Sequence, residues 1–138
     1  FILHYARLAQ SQGAHMLSVG VELHRAVSER PDFWRSLIDD VRQAFDGPLT
    51  YGANWDGEMA AVRFWDRPDY LGVHAYFPLT NRQDASVADL ERGWRTHLRT
   101  IESLCATLGP AHPVHGGGLP QHRRGCRTAL EFHGAVCR

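Results

Sequence analysis

The stretch HMLSVGVELH, residues 15–24, decides the fold, because an apolar run with one glycine inside it ends on a carboxylate. Its apolar members are Met16, Leu17, Val19 and Val21. Such a run, nearly without polar relief, predicts a strand buried on both faces. A charged Glu22 at the end of a buried strand is costly unless it has a partner or an open position.

Glu22 has two interpretations. In a parallel α/β barrel the chemistry takes place at the C-terminal ends of the strands, which makes Glu22 a candidate catalytic residue. Alternatively, Glu22 is structural, and it caps the following loop or pairs with Arg25. The stretch alone does not separate the two.

Composition limits the class of protein. The chain has 138 residues, 43% of them hydrophobic, which suffices for one domain with a core. With 15 basic and 15 acidic side chains, we expect neither a nucleic-acid nor a membrane partner. The sequence begins without Met inside a helical pattern, so we expect a piece of a longer protein, and its localisation and oligomeric state stay open.

Helical and strand-like patterns alternate over residues 1–109. Predicted helices span 1–12, 32–45, 60–65 and 86–108; predicted strands span 15–23, 49–55 and 70–77. This alternation implies an α/β fold with a parallel sheet. Three strands are too few to close a barrel, so the segment is predicted to be the central part of one.

Three stretches together resemble the mannanase-like glycoside hydrolases of family 113, which are TIM-barrel enzymes. They are HYARLAQSQGAHMLSVGVEL, FWRSLIDDVRQAFDGPLTYGANWD and FWDRPDYLGVHAYFPL. The resemblance covers residues 1–109 and implies a partial (β/α)8 barrel with about three parallel strands. It also implies retaining hydrolysis of β-linked sugars, typically β-1,4-mannan, without a cofactor or metal. By this resemblance Glu22 is the general acid/base, at the end of the family's fourth strand.

The second carboxylate of that reaction is missing. The resemblance places a nucleophilic glutamate in a segment like FTEVGY, which this sequence lacks. Retaining hydrolysis needs two carboxyl groups about 5–5.5 Å apart. After Gly109 the sole acid is Glu131, in ALEFHG, which has no strand-like setting. We therefore expect a fragment that is inactive as written.

Residues 110–138 have no periodicity and are predicted to form an irregular tail. Their histidines and cysteines raise a second hypothesis, a small metal-binding protein, although the spacing fits no tight ligand pair. These residues are His112, His115, Cys126, His133 and Cys137. A disordered basic tail is another interpretation. The count of three cysteines predicts no disulfide framework.

A frameshift explains the tail better. If the degenerate codons after Gly109 are read one nucleotide forward, they permit FTEVGY followed by WNF, in the order that the family pattern requires. We hypothesise that residues from about 110 onward are the product of a frameshift.

Five residues complete the candidate site. Asn54 and Trp55 end the second strand, where an amide can bond sugar hydroxyls and an indole can stack on a pyranose; the alternatives are turn chemistry and core packing. His74 and Tyr76 share one face of the third strand, and His74 stands where the resemblance leads us to expect Asp. His24 is a candidate contact at the rim. Two further tryptophans are assigned to packing: Trp65 and Trp94.

Besides the hydrolase fragment, the sequence leaves open a non-catalytic carbohydrate-binding remnant, in which Asn54 and Trp55 still hold sugar.

Overall fold

The computed structural model describes residues 1–108 and, beyond them, the backbone of residues 128–132 and 135–136. The elements are α1 (Ile2–Ser11), β1 (Leu17–Val21), α2 (His24–Glu29), α3 (Pro31–Ala44), β2 (Leu49–Asn54), α4 (Glu58–Ala61), β3 (Tyr70–His74), α5 (Val87–Leu108), β4 (Thr128–Phe132) and β5 (Ala135–Val136).

The strands form one open sheet in the order β1-β2-β3-β4-β5. The pairs β1·β2, β2·β3 and β3·β4 are parallel, whereas β5 runs antiparallel to β4. The alternation of helices with the parallel strands β1, β2 and β3 confirms the predicted α/β fold, and β4 adds a fourth parallel strand. In the β2·β3 pair Thr50 lies opposite Tyr70 and Asn54 opposite His74, so the two strands end together.

The core lies between β2 and α3. Helix α3 buries Trp34, Ile38 and Val41, a spacing of three to four residues that gives one apolar face. Strand β2 is buried from Leu49 to Ala53, as expected for a strand covered on both sides.

Aromatic rings fill the space between these two elements. Trp34 stacks on Phe64, with ring centroids 5.5 Å apart, and meets the edge of Tyr51 at 5.5 Å. All three rings are buried, so they fix the distance between α3 and β2.

A half-buried ion pair lies at the end of the sheet where β2 and β3 begin. Arg42 Nη2 lies 2.9 Å from Asp69 Oδ2, and the same oxygen accepts a bond of 2.9 Å from the Leu49 amide. Arg42 also donates to the Arg67 carbonyl. These bonds tie α3 to the segments that begin β2 and β3.

Strand β1 is less buried than predicted. Val19 is inaccessible, but Met16 and Val21 keep 37% and 47% of their surface exposed. The prediction of a strand buried on both faces is therefore wrong. Among the described strands β1 lies at one edge of the sheet, so fewer neighbours cover its ends.

Strand β4 lies in the part of the chain that the sequence predicts as irregular. It pairs with residues 71–74 of β3, and the Cα of His74 lies opposite that of Glu131. The prediction that Glu131 has no strand-like setting is thus wrong, because the backbone partners come from β3 and are invisible in the local pattern.

Two smaller features also depart from the sequence analysis. Helix α2 was not predicted, because a six-residue element with one buried side chain, Val27, has no apolar repeat to announce it. Cys105 on α5 is disulfide-bonded, which the cysteine spacing does not predict, since spacing does not report proximity in space.

Within the described residues no helix is long and apolar enough to span a bilayer.

Gly20 tests the packing between β1 and its neighbours. A Cβ at Gly20 would lie 2.9 Å from Trp34 Cη2 and 2.9 Å from Tyr51 Cε2. Because both rings are buried, we expect Gly20→Ala to lower the free energy of unfolding by about 1–3 kcal/mol in urea titrations. The exposed Ser36→Ala on α3 should change it by less than about 0.5 kcal/mol. Equal stability of the two variants would contradict this packing.

Candidate active site

Three side chains from three parallel strands meet at one end of the sheet. Glu22 follows β1, Asn54 ends β2 and His74 ends β3. Asn54 Nδ2 donates to Glu22 Oε1 over 3.3 Å, and His74 Nδ1 lies 3.0 Å from the same oxygen. The structure therefore brings together three of the predicted site residues at the C-terminal strand ends, as expected for a parallel sheet.

The backbone at Glu22 turns sharply. Its φ of 49° lies in the left-handed region, which costs a residue other than glycine about 1–2 kcal/mol. Two bonds to β2 hold the turn: the Glu22 amide donates to the Gly52 carbonyl over 2.9 Å, and the Leu23 amide donates to the Tyr51 hydroxyl over 2.8 Å. The chain then enters α2 at His24, which leaves the Glu22 side chain at the strand ends.

The side-chain amide of Asn54 is oriented by the turn that follows it. Asn54 Oδ1 accepts a bond of 2.8 Å from the Asp56 amide, so Nδ2 faces Glu22. Gly57, with φ of 80°, lets this turn close before α4. The sequence NWDG thus fixes which atom of Asn54 meets the carboxylate.

The ring of His74 occupies space left by a glycine. A Cβ at Gly52 would lie 2.8 Å from His74 Nε2, so a larger residue there would displace the imidazole. When Nδ1 carries a proton, it donates to Glu22 Oε1. An imidazole thus contacts the Glu22 carboxylate from a position where the family resemblance suggests an acid.

The Glu22 carboxyl remains accessible. Its side chain is 37% exposed and that of His74 is 21% exposed. Arg25, the structural partner considered for Glu22, pairs with Glu29 instead, over 2.8 Å. A carboxyl that is held by two neighbours and open to solvent can give a proton to a bound molecule or take one from it.

Two residues that the sequence analysis missed, Tyr51 and Glu58, are hydrogen-bonded to the backbone next to this carboxyl and to that of its partner Asn54. Glu58 is fully buried; its Oε1 accepts a bond of 2.5 Å from the Tyr51 hydroxyl and its Oε2 one of 2.7 Å from the Asn54 amide. Burial, and then the bond to Glu58, raise the pKa of the Tyr51 hydroxyl. The sequence signal was an acid followed directly by apolar Met59, four residues after Asn54.

Trp55 lies in a separate aromatic cluster. It meets the edges of Phe77 at 5.8 Å and His97 at 5.7 Å, and those two rings stack at 4.2 Å. Trp94 also packs on Phe77, and Trp65 is buried with its Nε1 bonded to the Met59 carbonyl. Trp55 is half-buried, so part of its indole stays accessible beside the strand ends.

Tyr76 and His24 lie at the periphery. Because β3 ends at His74, Tyr76 falls in the segment beyond it and is 71% exposed. The prediction that Tyr76 and His74 share a strand face is therefore wrong. His24 is exposed at the start of α2 and lines the same shallow depression as Glu22.

No metal site stands out in the described part of the chain, where no three His, Cys, Asp or Glu side chains cluster as ligands. The residues considered as zinc ligands lie outside the described residues: His112, His115, Cys126, His133 and Cys137.

Fold and site together define the class, a TIM-barrel-type α/β protein with polar side chains at the C-terminal strand ends. Residues 1–126 match the sequence profile of Glycoside Hydrolase Family 113, and the chain belongs to this family. The resemblance seen in residues 1–109 is thereby confirmed, and the match extends beyond it.

Solved structures agree with this assignment. The complex structure of a family 113 β-1,4-mannanase is 30% identical, with a TM-score of 0.62, and the match covers 76% of this chain and 29% of that one. The β-mannanase AaManA from Alicyclobacillus acidocaldarius, in complex with ManMIm, is 31% identical, with a TM-score of 0.63 and coverage of 78% and 30%. The chain thus spans less than a third of these enzymes. No curated protein matches it.

The raised pKa of Tyr51 predicts a loss of stability in alkali. The unfolded chain releases the tyrosine proton near pH 10, whereas folding retains it, so the free energy of unfolding should fall as pH rises above about 10. Urea titrations between about pH 8 and 11 should show a smaller fall for Tyr51→Phe than for the wild type. Val41→Ala, a core truncation that keeps every tyrosine, should retain the wild-type fall. Equal falls in the wild type and Tyr51→Phe would contradict the prediction.

Proposed function

We propose that this chain is the central part of a retaining glycoside hydrolase acting on a β-1,4-mannan-like polysaccharide, with Glu22 as its general acid/base. One observation carries the proposal: Glu22 stands accessible at the C-terminal strand ends with Asn54 and His74 bound to one of its oxygens. Membership of Glycoside Hydrolase Family 113 supports it, as do the β-mannanases among the similar structures.

The two oxygens of Glu22 would have different roles. Within the described residues, Asn54 and His74 both contact Oε1, which leaves Oε2 to face a substrate. In this role Oε2 donates a proton to the departing glycosidic oxygen and later takes one from water. Asn54 and His74 hold the carboxyl in place during both steps.

The same reaction also requires a nucleophilic carboxylate. This chain lacks the sequence segment that carries it in the family. The second carboxyl must lie about 5–5.5 Å from the first. Glu58 cannot serve, because it is fully buried and both its oxygens are bonded. Glu131 is the acid to test, since its backbone pairs with that of His74. We propose that the chain alone does not hydrolyse mannan.

An assay for released reducing ends tests this proposal. We expect the full chain to release no more sugar from β-1,4-mannan than Glu22→Gln does, because cleavage with retention needs both carboxyls. Turnover that disappears in Glu22→Gln would show an active enzyme and contradict the proposed inactivity. Glu131→Gln would then show whether that residue is the nucleophile.

A second candidate is a carbohydrate-binding remnant, favoured by the half-buried Trp55 beside Asn54. If the chain retains a sugar site, Trp55→Ala should weaken the binding of mannotetraose about fivefold to tenfold in a calorimetric titration, because an aromatic face contributes on the order of 1 kcal/mol. Tyr5→Ala removes an exposed ring on α1 and is the control. Equal affinities of these variants would exclude stacking on Trp55. Zinc content of the purified chain tests the metal-binding alternative.

We also propose that residues from about 110 onward arise from a frameshift. The permitted shifted reading FTEVGY followed by WNF supports this, although the family profile extends to residue 126. Sequencing the gene across codons 105–120 should show a shifted frame that encodes the missing glutamate. An uninterrupted frame whose shifted reading contains no glutamate would contradict it.

A further inference from the structure

Glu58 is a buried carboxylate that the proposed reaction does not use. It is fully inaccessible, and among the described residues no arginine or histidine forms an ion pair with it. Two hydrogen bonds are its compensation for lost hydration, one from the Tyr51 hydroxyl and one from the Asn54 amide. Burying a carboxylate in this way lowers stability relative to an apolar side chain, so its role must lie in the groups that its two bonds hold in place.

Both bonds lead to Glu22. Through Oε1, Glu58 holds the Tyr51 hydroxyl, which in turn accepts the amide of Leu23, the residue directly after Glu22. Through Oε2, Glu58 holds the Asn54 backbone, and the side chain of Asn54 contacts Glu22 Oε1. Glu58 thus acts on the backbone behind Glu22 and on a partner of its carboxyl.

We propose that Glu58 is a positioning residue that orients the Glu22 carboxyl through Tyr51 and through Asn54. This inference rests on the proposed function, since it takes Glu22 as the group that exchanges a proton with the sugar. Glu58 itself touches no substrate.

The chemistry of the pair requires an acceptor at both oxygens. The Tyr51 hydroxyl has one proton, which goes to Glu58, so that its lone pair faces the Leu23 amide. Because its pKa is raised, Tyr51 keeps that proton to a higher pH than a free tyrosine does. A glutamine at position 58 offers one acceptor oxygen and one NH2 group, which can replace only part of this pattern.

The left-handed backbone at Glu22 explains why the support is needed. A residue other than glycine leaves this conformation unless its surroundings impose it. The Leu23–Tyr51 bond is one of two bonds from this turn to β2, the other joining Glu22 to Gly52. Without Tyr51 in position the turn can relax, and the Glu22 carboxyl moves with it.

Amide hydrogen exchange in the full chain tests the two branches separately. Tyr51→Phe should speed exchange of the Leu23 amide at least tenfold and leave the Asn54 amide unchanged. Glu58→Met, which keeps the length but removes both acceptors, should speed exchange at both amides and shift the Glu22 carboxyl 13C resonance. Glu58→Gln should restore part of the protection.

Two references separate positioning from general loss of structure. The amide of Ile38, in the middle of α3, reports global opening, and its exchange should change less than that of the Leu23 amide. Glu102→Met removes an exposed glutamate on α5 and should leave every amide as in the wild type. A uniform increase that includes Ile38, or no increase at Leu23 in Tyr51→Phe, would overturn the proposal; the Tyr51→Phe result stands even if Glu58→Met does not fold.

Binding of mannotetraose separates this inference from the proposed function. If the wild type binds the sugar, Glu58→Met should weaken binding at least threefold while Glu102→Met does not. If the wild type binds no sugar but the exchange pattern appears, the positioning network stands and the proposed function fails. If the sugar binds and the exchange pattern is absent, the positioning network is wrong and the function is untouched.

Discussion

The parallel register of β2 with β3 is the constraint on which the site depends. It places Asn54 opposite His74, so that an amide and an imidazole leave the sheet side by side. The Glu22 amide extends the neighbouring ladder to Gly52, which brings the carboxylate to the same edge. Backbone pairing therefore assembles three polar groups that lie far apart in the sequence, and a slip of one residue would send them to opposite faces.

Stability and site geometry share the same residues. Tyr51 packs against Trp34 and Phe64 in the core, yet its hydroxyl holds the turn after Glu22. Glu58 costs free energy by its burial and is compensated by bonds that also fix Asn54. The strained backbone at Glu22 is tolerated because its bonds to Gly52 and Tyr51 hold the turn. The accessible side chains of the site are thus held by residues of the packed aromatic core.

The sequence predicted what depends on local pattern. The apolar runs identified β1 to β3, and the acid after the first run correctly indicated Glu22 as a group with partners at a strand end. It could not predict the end of β3 at His74, because pairing with β2 and β4 decides where a strand stops. Tyr76 was misplaced for that reason.

Contacts between distant segments were also beyond local reasoning. In the sequence, Glu58 is an ordinary acidic residue at the start of a helix. Its role follows only from the Tyr51 hydroxyl that β2 brings beside it. Strand β4 likewise exists through its pairing with β3. The sequence shows that residue 74 is a histidine, but it does not show that this histidine contacts Glu22.

A double-mutant cycle between Glu22 and His74 tests the central claim most directly, because it measures whether the two strand ends meet. Urea titrations of Glu22→Ala, His74→Ala and the double variant should give a coupling of about 0.5–1 kcal/mol, the range for a partly exposed pair. If the two single effects add within about 0.3 kcal/mol, Glu22 and His74 do not interact and the proposed site is wrong.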